Sequence, residues 1–180
     1  MLFRAVVFLA ALTPLAAQDL ASRAQTKLDK LGDGEYRSHA VVEFPPEEIN
    51  AWAARKVPEI VPEGLRSGRV ELGNGTVIAS ALVDFAKIRR TTNPLVARLI
   101  EGERPLKVFL RLQSSGGRCT VYLTRVELSG IVLEGGVLDF LVQNFFTTLF
   151  PDSKINQPFE IGFEVDRIEV TPQAVRVTLR

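Results

Sequence analysis

The stretch from Gly136 to Pro151, GVLDFLVQNFFTTLFP, constrains the fold more than any other part of the chain. It is bounded by glycine and proline, and alternating segments typical of antiparallel strands flank it. As a helix, its interior at residues 137–150 would be ~21 Å long. A bilayer takes about 20 apolar residues to cross, so this run is too short to span one. On a helical wheel Leu138, Leu141, Val142, Phe145, Phe146 and Leu149 share a broad apolar face. Asp139, Gln143, Asn144, Thr147 and Thr148 gather opposite, with Phe140 among them. Such a helix is either core beneath a curved sheet, or a wall that also lines a lipid groove or dips into a membrane surface.

The 180 residues suit one domain with a sizeable core. Lys and Arg number 22 against 21 Asp and Glu, so no broad field for nucleic acid is implied. Residues 1–17 read as a signal peptide and 18–180 as a single α+β domain. Arg4 supplies the positive start, Ala5 to Leu15 is an apolar run, and Ala16-Ala17 offers a cleavage point before Gln18. A short N-terminal anchor is the other reading of this run. No cysteine follows it to carry a lipid. The expected destination is export, periplasmic or secreted.

Leu20, Ala24, Leu28 and Leu31 recur at helical spacing until Gly32-Asp33-Gly34. Tyr36 to Phe44 reads as a strand, and Pro45-Pro46-Glu47-Glu48 as the start of a helix ended by Pro58. Trp52 reads as its packed anchor. Asn74-Gly75 predicts a tight hairpin with positive φ at both turn positions, returning as TVIASALVDFAKI. That strand is apolar on both faces, and its small residues at 79–81 leave room for a packed helix or an acyl chain. Residues 92–101 read as a further short helix, and Leu106 to Leu112 as a period-two strand. The apolar phase slips near Thr124-Arg125 and again before Ile168, two places for a bulge that bends a strand. Phe159 to Val170 reads as one arm of a final hairpin, turned at Thr171-Pro172-Gln173-Ala174.

Chemistry is sparse. Cys119 and His39 are the single cysteine and histidine, both on predicted strands, so neither a metal centre nor an activated thiol is expected. No phosphate loop, dinucleotide or serine-nucleophile motif occurs. Asp84, between Val83 and Phe85, is the carboxylate whose burial could serve acid–base work, unless a base such as Lys87 pairs with it. Lys87, Arg89 and Arg90 (KIRR) form the basic cluster suited to an anionic lipid headgroup, or else a solvated strand end.

Several segments together carry a resemblance: EEINAW on the early helix, VELGNGTVIASALVDF in the hairpin, VELSGIVL before the apolar helix and PFEIGFEVDRIEV near the end. In this order the chain resembles small exported bacterial lipid-binding proteins of the LmeA-like and related tubular lipid-binding (TULIP-like) type. The resemblance implies a strongly curved antiparallel sheet wrapped around a C-terminal apolar helix, with short peripheral helices and a groove for acyl chains. The expected groove residues are Val77, Ala79, Ala81, Val83, Phe85 and Leu110 on strands. On the helix they are Phe140, Leu141 and Phe145. The expected ligand is a phospholipid or other apolar small molecule, held without a cofactor and without catalysis. A membrane surface or a docked protein is the other partner such apolar surface suits.

Overall fold

The computed structural model of the chain describes residues 14–60, 64–88, 101–147, 154–162 and 164–180, with 14–17, Ile60, Ile88 and Phe145 as backbone alone. Its strands form two mostly antiparallel sheets, so the fold is α+β, with two departures from expectation. There is a second, smaller sheet, and the apolar helix is followed by three strands rather than ending the chain. The helix expected at 92–101 lies, but for Glu101, outside the described residues.

The smaller sheet joins β1 (Val41–Phe44), β9 (Val175–Leu179) and β8 (Val165–Val170), with β9 central. Two helices pack against it, α1 (Pro14–Gly32) and α2 (Pro46–Ile60). Ala24, Leu31, Val42, Phe44, Val165 and Val177 are at the centre of this core. Helix α1 starts before Gln18 and so runs through the expected cleavage point, and Leu28 is exposed rather than inward. Trp52 does anchor α2: it packs into the core while its indole N–H donates to Gln25 Oε1 at 2.8 Å. Glu48, buried at the start of α2, receives Lys27 Nζ at 2.6 Å. Helix α2 continues two residues past Pro58, which has no N–H to give the carbonyl of Ala54, so the helix persists one bond short near its end.

The larger sheet runs β2 (Leu65–Leu72), β3 (Thr76–Asp84), β4 (Glu103–Ser115), β5 (Arg118–Leu128) and β6 (Ile131–Val132). A further strand, β7 (Pro158–Glu160), also pairs with β5, and a short helix α3 (Phe85–Ile88) follows β3. The β2–β3 hairpin turns at Asn74-Gly75, but only Gly75 takes positive φ, at 67°. Gly75 donates to Val170 O and accepts from Leu112 N, both at 2.9 Å, so neighbouring strands shape this turn as well as its own sequence. The phase slip near Thr124 is a real register shift: Phe109 faces Arg125, Leu110 faces Leu123, and Thr124 Oγ1 donates to Phe109 O. The second slip also appears, between Val165 and Arg167.

The apolar stretch begins as helix α4 (Gly135–Leu141) and continues as a wider π turn, Val142–Phe146. Thr147 Oγ1 donates to Val142 O at 2.7 Å across that turn. Leu141 belongs to the second core with Val83, Phe85, Val126, Leu128 and Leu133. Phe140 also packs against this core, not among the polar residues as the wheel places it.

A side chain of α2 helps to join the two halves. Asn50 Nδ2 donates to Val70 O at 2.9 Å while its Oδ1 accepts from Val70 N at 2.7 Å, so it pairs with the edge of β2 as another strand would. Asn50→Ala leaves both Val70 groups without this partner and should lower unfolding free energy by ~1–3 kcal/mol in urea titration. Leu128, fully buried at 0 % exposure, is the larger loss: Leu128→Ala should cost ~2–5 kcal/mol.

Candidate functional site

Register pairing gives one face of the larger sheet three apolar rows. They read Leu72–Val77–Leu110–Leu123, Val70–Ala79–Val108–Val126, and Ala81–Leu106–Leu128. The opposite face is mixed, with Arg125 over Phe109 and Arg111 over Tyr122. In the middle of the apolar face Ala79 and Ala81 stand where larger side chains would fill the space. Above them is a partly open cavity of about 1030 Å³, just past the top of the ~300–1,000 Å³ range of small-molecule sites.

Three elements close it. Ala53 and Val57 come from α2, three and seven residues on from Asn50 and so on the same helical face as the clamp to β2. Leu138, Leu141, Val142 and Phe146 come from α4 and its π turn, four members of the apolar face read from the sequence. Ile155 and Phe159 complete the wall beside β5.

Of the expected groove residues, Ala79, Ala81, Val83, Phe85, Leu110 and Leu141 line the cavity. Val77 shares the apolar face by register but is not part of the lining, and Phe140 packs into the core beside it. The Phe145 side chain lies outside what is described. The basic cluster does not reach the cavity in its described part: Lys87 is solvent-facing with its Nζ 3.9 Å from Asp84 Oδ2, and Arg89 and Arg90 lie outside the described residues. Asp84 thus has the base beside it that the sequence suggested. Its Oδ1 and Arg104 Nε are buried without a hydrogen bond among the described residues.

Sequence reasoning missed the charged part of the lining, Arg69, Arg118, Lys154 and Glu160. Arg118 and Glu160 face each other across β5 and β7 and are also shared with a second hollow of about 330 Å³, which is polar. No local signal marks them; only the pairing of β7 with β5 brings 118 and 160 together.

No family model, curated protein or solved structure that was compared matches this chain. Among the described residues no three His, Cys, Asp or Glu side chains converge in the manner of a metal site, and no helix is long and apolar enough to cross a membrane.

Cys119 is a packed residue, 2 % exposed, and burial pushes its thiol up from the ordinary cysteine range. A raised value means less thiolate at any given pH. Alkylation of the folded protein should therefore be much slower than that of a free thiol at pH 8, and reach the free rate in denaturant.

Proposed function

We propose that this protein binds a lipid or another apolar ligand without transforming it. The ligand's acyl chain would occupy the cavity between the larger sheet, α2 and α4. The observation that carries the reading is the cavity itself, an apolar hollow of about 1030 Å³ over two alanines, in the place the sequence suggested for a ligand. On this reading the sheet bends around the apolar helix, with the bulge at Thr124 contributing to the bend. The likeness to LmeA-like and TULIP-like proteins points the same way, and the N-terminal apolar run makes the periplasm or the exterior the proposed location.

Binding would come from burial of methylenes, worth ~0.8 kcal/mol each. In a series of fatty acids each added methylene should therefore tighten binding by up to about fourfold, until the cavity is filled. Native mass spectrometry of protein from a membrane-containing host, with lipid analysis of the extract, tests occupancy. A near-stoichiometric lipid is expected, and Ala81→Trp should expel it while the protein stays folded. A clean apo mass, with no uptake from vesicles, would sink the reading.

A second reading, a docking module for another protein, has its own observation. Ile131, Val132 and Val137 are 58 %, 40 % and 36 % exposed on the β6 edge and the start of α4. Retained partner binding after the cavity is filled by Ala81→Trp, with loss on Ile131→Asp, would favour it. Acid–base chemistry by Asp84 and His39 has less support. Asp84 ends a strand of the larger sheet beside Lys87, whereas His39 precedes the smaller one, its backbone N–H bonded to Arg180 O.

A further inference from the structure

The polar hollow beside the cavity is built where the chain crosses from the larger sheet to the smaller. Between β7, which pairs with β5, and β8, which pairs with β9, the backbone is held by bonds to both sides. Ile161 N donates to Gly117 O at 2.8 Å, Gly117 N to Asp166 O at 2.6 Å, and Arg180 N to Glu164 O at 2.8 Å. The walls of the hollow are therefore fixed by main-chain bonds before any ligand arrives.

Four charged side chains line it, Arg118 and Arg180 with Glu160 and Glu164. Two are positive and two negative, yet no ion pair within 4.0 Å joins them among the described residues, although Arg118 and Glu160 are directly opposed across strands. The Arg180 guanidinium lies against Gly117, where any Cβ would collide with it. Arg118 and Glu160 also border the apolar cavity, so the two spaces share these residues and lie side by side.

We propose that the ligand is a zwitterionic amphiphile. Its tail fills the apolar cavity, its anionic group meets Arg118 and Arg180, and its ammonium meets Glu160 and Glu164. This rests on the reading that the cavity holds an acyl chain, and adds the class of headgroup. The argument is one of unspent charge: two guanidinium groups and two carboxylates, each open to a partner, surround a space that adjoins an apolar one. A guanidinium takes a phosphate through paired N–H donors, and a carboxylate takes an ammonium by a charge-assisted hydrogen bond.

The test is binding of three single-chain lipids with the same acyl chain to the full chain, below their aggregation limits. These are a lysophosphatidylethanolamine, a lysophosphatidylglycerol and a monoacylglycerol, with water-soluble glycerophosphoethanolamine as a tail-less probe. The zwitterionic lipid should bind about tenfold or more tighter than the uncharged one. The double variant Arg118→Gln, Arg180→Gln should abolish that difference. Glu160→Gln with Glu164→Gln should erase the preference for the ethanolamine over the glycerol headgroup. All these positions are exposed, so unaltered thermal melts are expected and serve as the folding control.

Equal affinity for all three lipids would overturn the headgroup site and leave the apolar cavity reading intact. Tightest binding of the anionic lipid, indifferent to the glutamate variants, would replace the zwitterion by a plain anion and so overturn the proposal. Binding of none of the lipids would remove the cavity reading as well. Tail-less probe binding as tight as the lysolipid would show that the hollow recognises a free soluble zwitterion, with no part played by the cavity.

Discussion

The Asn50 carboxamide paired with the backbone of Val70 is the interaction on which most of the arrangement turns. It satisfies one donor and one acceptor on the open edge of β2, and it ties α2, a helix of the smaller core, to the larger sheet. A sheet edge left bare is a template for pairing with other chains, so this contact protects the molecule as well as orienting it. Because the helix is fixed at Asn50, the next turns of the same face, Ala53 and Val57, come over the apolar rows of the sheet. One hydrogen-bonded pair thus sets one wall of the cavity.

A further attachment between the halves, beside the Gly75 N to Val170 O bond, is the crossing after β7. β8 meets the β4–β5 hairpin through main-chain bonds, and Ile168 N adds a bond to Ser114 Oγ at 2.9 Å. Glu164 takes φ of 54° at this crossing, a conformation uncommon for a residue with a side chain. The constraint there is geometric: a strand leaving one sheet must turn before it can pair in another. The polar hollow lies in that corner: Glu160 and Glu164 flank the turn, while Arg118 comes from β5 and Arg180 follows β9.

Packing around the apolar face explains why a cavity persists. Interiors normally close to the density of organic crystals, and a void forfeits dispersion contacts along its lining. Ala79 and Ala81 are too small to reach the opposing wall, and α4 contributes its bulk to one end, around Leu141 and Phe85. The π turn at Val142–Phe146 widens the helix at the point where it meets the space. Such turns cost hydrogen-bond geometry and occur often beside functional sites.

Much of the local structure was legible from the chain because local structure is set by period and punctuation. The alternation of β4, the turn at Asn74-Gly75, the slip at Thr124 and the apolar face of the helix each depend on residues close in sequence. Ala79, Ala81, Val83, Phe85, Leu110 and Leu141 could be named for the same reason, since a period of two or 3.6 tells which residues share a face. What the period cannot tell is which face meets which element. The expected single arm from Phe159 to Val170 alternates on either side of its phase slip, but its two ends pair in different sheets, one with β5 and the other with β9. The charged lining at Arg118 and Glu160 depends on that choice, as does the place of α2 over β2. Sequence determined the cores of most strands, the apolar surface and the small residues that leave it unfilled. Only the tertiary structure decided that those residues border a cavity and that a mixed-charge hollow adjoins it, since contacts between residues distant in the chain are settled by packing and pairing, which leave no local mark.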